Sequence, residues 1–110
     1  MLPCNFVTLK GNRIGMIEND VEKYLVGRIA KIGGMAWKLT SPGISGVPDR
    51  IVIYHGKLYF VETKRPGSKM RKLQEYRRKE LGRQGFDVIC LDSKKRVDIF
   101  IDEVKRGDGK

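Results

Sequence analysis

The sequence predicts an α/β fold, a mixed β-sheet flanked by helices in the order α-β-β-β-α-β-α. Three observations predict it. Apolar residues recur at helical spacing in three segments, and four short β-rich runs lie among them. The last of these runs follows a helix that itself follows a strand, which favours a right-handed crossover with those two strands parallel. The 110 residues suit one domain, a size at which folding buries roughly two thirds of the surface of the unfolded chain. Hydrophobic residues make up 40% and charged residues 33%, a globular rather than a disordered balance.

Each element has its own signal. Residues 1–15 have no period and contain Pro3, Gly11 and Gly15, which predicts an arm before a domain over 16–106 and a short tail over 107–110. Val21, Leu25, Ile29 and Ile32 predict a helix from Ile17 to Ile32, stopped by Gly33 and Gly34. A short strand is expected over Ala36–Leu39. The stretch from Thr40 to Pro48, with Pro42, Gly43 and Gly46, reads as a mobile loop. Arg50–Tyr54 and Leu58–Lys64 read as strands joined by His55, Gly56 and Lys57 into an antiparallel hairpin. Ser68 is placed to cap a helix running to about Gln84, with Gly85 beyond its end. Phe86–Leu91 follows as an apolar strand, and Ser93 caps a last helix carrying Val97, Phe100, Ile101 and Val104.

The charge balance narrows the partners. The 23 Lys and Arg against 13 Asp and Glu give a formal charge of +10, so the surface field attracts polyanions, nucleic acid first among them. The excess is local. From Lys64 to Arg83 nine basic residues stand against Glu75 and Glu80, a net of +7. Lys69, Arg71, Lys72, Arg78 and Lys79 are the candidate DNA-binding residues, and the bland alternative is a solvated helix face. Cys4 and Cys90 are too few for a disulfide framework, and Cys90 in its apolar run reads as a small hydrophobe. With no secretory leader pattern and no long apolar run, a reducing intracellular setting is expected: the cytoplasm, or the host cytoplasm for a viral protein.

The chemistry gathers at one end of the predicted hairpin. Asp49 precedes one strand and Glu62 lies near the end of its partner, so pairing can bring the two carboxylates together. Glu62 and Lys64 are two apart on a strand and face the same side. Two carboxylates suit Mg²⁺ or Mn²⁺, and the backbone carbonyl of Thr63 could add a ligand. Lys64 could orient an attacking water and offset charge developing on a phosphate. The plain alternative is a surface ion pair between Glu62 and Lys64. His55 at a hairpin tip has no second His or Cys pair to make a zinc site. Gly43 and Gly46 lack a following G-K-[ST], which excludes a nucleotide-binding P-loop. Trp37 and Tyr24 read as core or edge packing rather than base-stacking platforms.

At these residues the chain resembles the VRR-NUC branch of the PD-(D/E)XK nucleases. The resemblance runs from about Glu18 to about Val104 and rests on Ser45-Gly46-Val47-Pro48-Asp49-Arg50, on Phe60-Val61-Glu62-Thr63-Lys64 and on Gln74. It implies a restriction-endonuclease-like core, Asp49 and Glu62 as metal ligands, Lys64 as the catalytic lysine and Gln74 as a supporting polar residue. It also implies an acid from helix one. Glu18 and Glu22, four apart, share a helix face. Glu22 is favoured because it stands where the related archaeal junction resolvases carry their helix acid, as a catalytic residue and a metal ligand either directly or through water. Glu18 remains a possible second helix acid. Thr63 departs from the aliphatic residue common at its position.

The function so implied is a Mg²⁺- or Mn²⁺-dependent, structure-selective DNA endonuclease that hydrolyses phosphodiester bonds in branched DNA such as Holliday junctions, as a homodimer. The alternatives are a nuclease for flaps, nicks or ends, and a non-catalytic DNA-binding domain whose charge alone supplies affinity.

Overall fold

In a computed structural model, which describes residues 18–107, Val21, Leu25 and Ile29 recur every four residues along helix α1 (Glu18–Lys31) and are fully buried. The predicted arm over 1–15, Cys4 in it, and residues 108–110 lie outside the described residues, as does the side chain of Glu18. Strands β1 (Met35–Lys38), β2 (Arg50–Tyr54) and β3 (Lys57–Thr63) form an antiparallel meander, and β4 (Val88–Leu91) lies parallel to β3, giving the sheet order β1-β2-β3-β4. Helix α2 (Lys72–Arg83) makes the crossover from β3 to β4, and α3 (Lys94–Arg106) closes the chain. The predicted element order and the parallel final pair are both present.

Alternation along the strands divides the sheet. Val52, Tyr59, Val61 and Leu91 join the α1 stripe and Val97, Phe100, Ile101 and Val104 of α3 in one core, with Tyr59 and Phe100 packed edge to face. The two helices are also tied by a polar link, in which the Tyr24 hydroxyl donates to Asp98 at 2.7 Å and Arg28 pairs with the same carboxylate. Phe60, Glu62 and Lys64 point to the other face. There α2 contributes no buried residue, and Gln74 reaches Glu62.

Several boundaries differ from expectation, each for a local reason. The hairpin turn is two residues long: Tyr54 pairs with Lys57, and His55 and Gly56 both take positive φ, as a type I′ turn requires. Helix α2 starts four residues after Ser68. Pro66 and Gly67 make a turn in which the Ser68 N–H donates to the Arg65 carbonyl, and the helix start is satisfied instead by Gln74, whose Oε1 accepts the Arg71 N–H at 2.9 Å. β1 sits one residue earlier than predicted, at Met35–Lys38. β4 begins at Val88 because Phe86 leaves the ladder to pack edge to face on Phe60. The expected mobile loop over 40–48 has no regular structure, yet Arg77 Nε of α2 donates to the Ser45 carbonyl at 2.7 Å. Gly46 has φ +83 and lies so close to α2 that a Cβ would stand 2.8 Å from Leu73. A glycine is required there both for conformation and for space.

Two packing expectations are corrected. Trp37 is 58% exposed, because its side of the edge strand β1 is not covered by α1 or α3. Cys90 is exposed because its register partner is Glu62, so it lies on the face away from the main core.

Candidate active site

Strand ends and one helix bring four of the predicted site residues together. The ladder between β2 and β3 pairs Arg50 with Val61, which places Asp49 next to Glu62 across the strands. Glu62 is 4% exposed, and its Oε2 accepts from Gln74 Nε2 at 2.6 Å and pairs with Lys64 Nζ at 3.4 Å. Lys64 is itself buried, and its backbone N–H donates to the Leu91 carbonyl of β4, which extends the sheet under it. The Glu62–Lys64 pair is therefore an interior pair and not the solvated surface pair that was the plain alternative. Gln74 is held at both ends of its amide, one by Arg71 and the other by Glu62.

Asp49 is anchored by Thr63. Its Oδ2 accepts the Thr63 hydroxyl at 2.8 Å, and its Oδ1 accepts the Thr63 backbone N–H at 3.2 Å. The Asp49 carbonyl accepts the Leu39 N–H at 3.0 Å, so the end of β1 steadies the same residue.

The electrostatics are unbalanced in one direction. Burial, and then repulsion from Asp49, push the Glu62 carboxyl up to about 7, and Lys64 offsets only part of this. Glu62 thus sits beside a second carboxylate, with Lys64 at 3.4 Å as its ion-pair partner. That imbalance suits a divalent cation, whose charge would relieve the repulsion and whose preference is for hard oxygen donors. The donor set fits a Mg²⁺ or Mn²⁺ that keeps part of its water shell. Among the described residues no three His, Cys, Asp or Glu form a preassembled cluster. Cys90, beside Glu62 in the ladder, has its thiol pushed up by partial desolvation at the sheet surface and by that carboxylate.

Glu22 is placed differently. It is 8% exposed, and its Oε2 accepts from Arg50 Nε at 2.9 Å and from Lys38 Nζ at 3.4 Å. Arg50 also donates to the Ala36 carbonyl at 3.0 Å, so the guanidinium ties α1 to β1 beside Asp49. Glu22 is thus tied to Arg50, the residue after Asp49, with its charge met by two cations. The side chain of Glu18 lies outside the described residues. Lys69, Arg71, Lys72, Arg78 and Lys79 are all exposed, with Arg78 at 3.5 Å from Glu75.

Sequence reasoning assigned no role to Arg50 or Arg77 and saw only the carbonyl of Thr63. Arg50 follows Asp49 directly, and a basic residue beside a candidate site acid was a usable signal. The anchoring of Arg77 to Ser45 had none, since a helix arginine looks the same whichever way it points.

No family model matches the chain. Over 77 residues, 69% of this chain and 83% of the relative, it is 48% identical to a protein named "Putative nuclease p44" from Acyrthosiphon pisum secondary endosymbiont phage 1. Among solved structures it is similar to one titled "VRR_NUC domain", with a TM-score of 0.72 and 33% identity, covering 77% of this chain and 94% of that one. Fold and likeness together define a nuclease domain. Within that class, the chain belongs to the VRR-NUC family. Among the described residues no helix is long and apolar enough to cross a membrane.

Proposed function

We propose that the protein is a Mg²⁺- or Mn²⁺-dependent DNA endonuclease that cuts branched DNA, with its site at Asp49, Glu62, Lys64 and Gln74. The observation that carries this reading is the meeting of two carboxylates and a buried lysine at the ends of β2 and β3, where Asp49 raises the Glu62 carboxyl against the pull of Lys64. Asp49, Glu62 and the Thr63 carbonyl would hold the ion, with Glu22 as a further ligand through water. Bound there, a divalent ion supplies Lewis-acid polarisation of a phosphoryl oxygen and a water more easily deprotonated.

The chain's own groups do the rest. Lys64 Nζ, fixed beside Glu62, holds the attacking water and stabilises negative charge on the phosphate. The water oxygen bonds to phosphorus as its proton passes to solvent, the bond to the leaving sugar oxygen breaks, and that oxygen takes up a proton from solvent. Gln74 fixes the Glu62 carboxylate while the exposed cations of α2 and the turn before it grip the DNA backbone. A four-way junction needs two cuts, which suits a C2 homodimer. The exposed Met35, Trp37 and Leu58 support that assembly, since the register places them on one face of the sheet. An intracellular, reducing location belongs to the same reading.

The test is cleavage of synthetic four-way junction, flap, nicked, duplex and single-stranded DNA in Mg²⁺ and in EDTA. Preferential, metal-dependent cutting of the junction is expected. Preference for flaps or ends would redirect the substrate assignment. Binding without cleavage in any divalent metal would leave only a non-catalytic DNA-binding domain.

A further inference from the structure

We propose that Thr63 is a positioning residue, whose hydroxyl and backbone N–H together hold the Asp49 carboxylate in the orientation in which it takes up a divalent ion. The inference rests on the reading of Asp49 and Glu62 as metal ligands.

Asp49 faces two problems. It precedes the first paired residue of β2, so its side chain extends from the end of a loop rather than from within the ladder. It also lies beside the buried carboxylate of Glu62, and like charges drive a flexible side chain away. Thr63 answers both. Its hydroxyl lies 2.8 Å from Oδ2, and its N–H lies 3.2 Å from Oδ1 and 3.5 Å from Oδ2. A donor is therefore directed at each oxygen, and the carboxylate can neither rotate nor swing outward without breaking one.

The donors are themselves rigid. The N–H belongs to the strand, and the hydroxyl sits on a β-branched side chain that is fully buried on the face of Tyr59 and Val61. Donors of this kind typically change metal affinity or activity by roughly 10- to 100-fold when removed. An aliphatic residue at position 63 would keep the N–H bond and the volume but lose the shorter of the two bonds.

The experiment compares Thr63→Val and Thr63→Ser with the wild type by calorimetric titration with Mn²⁺ and by cleavage kinetics in Mg²⁺. Thr63→Val is expected to bind Mn²⁺ roughly 10- to 100-fold more weakly. Its kcat should fall at low metal and recover as metal is raised, with an unchanged KM for DNA. Thr63→Ser, which restores the donor, should return to within about 3-fold of wild type on the same scale. Wild-type Mn²⁺ affinity in Thr63→Val would overturn the proposal. So would a Thr63→Ser variant as impaired as Thr63→Val, because packing and not the hydroxyl would then be at work. The hydrogen bond is read without any ion from urea unfolding in EDTA of Thr63→Val, Asp49→Asn and the double variant, where non-additive midpoint shifts are expected. Additive shifts refute the positioning role whatever the metal does. Non-additive shifts together with an Asp49→Asn variant that still binds Mn²⁺ normally would show that the ligand assignment has failed instead.

Discussion

Glu22 and Glu62 are both buried acids, yet they sit in opposite electrostatic settings. Glu22 meets Arg50 and Lys38. Glu62 meets a second carboxylate, with Lys64 as its counterion. A buried acid with its charge matched is an architectural tie, here joining α1 to β1 and β2. A buried acid beside another acid is held in an unfavourable state that a cation relieves. Burial alone does not separate the two, but charge balance does.

The sharpest way to break this comparison is to neutralise the acids one at a time. Asp49→Asn and Glu62→Gln should each reduce cleavage in Mg²⁺ by roughly 10³-fold or more, because each removes a ligand from the reacting centre. DNA affinity measured in Ca²⁺ should largely survive, since the basic surface is intact. Near-wild-type cleavage in both variants would remove the site from these strands. Lys64→Ala should lose roughly 10²- to 10³-fold in turnover yet still bind Mn²⁺, because its role is exerted on developing charge. Loss of Mn²⁺ binding in a calorimeter would contradict that division of labour.

On the other side of the comparison, Glu22→Gln should act mainly on stability. It leaves the half-buried Arg50 with a weaker partner, a loss on the order of 1–3 kcal/mol in urea unfolding. It should also cost more activity than Glu18→Gln, because Glu22 is tied through Arg50 to the residue next to Asp49. Equal or reversed losses would show that the helix acid is Glu18.

How far this was legible in the sequence depends on the range of the interaction. The α1 stripe, the hairpin, the Ser93 cap and the α3 stripe are local patterns, and the structure has them where spacing puts them, except that Lys57 joins the hairpin ladder rather than its turn. The start of α2 was misplaced because Ser68 carries a capping side chain, while the actual cap is made by Gln74 reaching back to Arg71. Asp49, Glu62 and Lys64 could be picked out because strand pairing and period-2 alternation place them, whereas Gln74, on α2, was pointed to only by the family resemblance. The Arg50–Glu22 tie joins residues 28 apart, and nothing in the local pattern announces it. The Thr63 hydroxyl escaped notice for the same kind of reason, since alternation says which face a residue takes but not what it bonds.

The pH dependence sharpens the contrast further. A carboxyl that binds its proton more tightly folded than unfolded favours folding at low pH, and Glu62 is raised from 4.5 to about 7. Its contribution to metal-free stability is therefore most favourable below about pH 4.5. It is lost as pH rises to about 7, a change on the order of 3 kcal/mol. The difference between wild type and Glu62→Gln in urea unfolding in EDTA isolates it, and a pH-independent difference would contradict the raised value.

The smallest effects belong to the exposed cations. Arg71, Lys72, Arg78 and Lys79, replaced singly, should each flatten the log-log salt dependence of DNA binding by up to about 0.9 and weaken all sequences alike. Fluorescence anisotropy in Ca²⁺ measures this. An unchanged slope in all four would turn α2 away from the DNA.

The central claim is that Asp49 and Glu62 form an acidic pair completed by a divalent cation, and Mn²⁺ titration of the wild type, Asp49→Asn and Glu62→Gln between pH 6 and 8 tests it most directly. Wild-type affinity should fall about tenfold per unit below about pH 7, as the ion must displace the Glu62 proton. Both variants should lose the site. Equal, pH-independent binding in all three proteins would show that the ion is held elsewhere, and that the buried acids of this domain are structural after all.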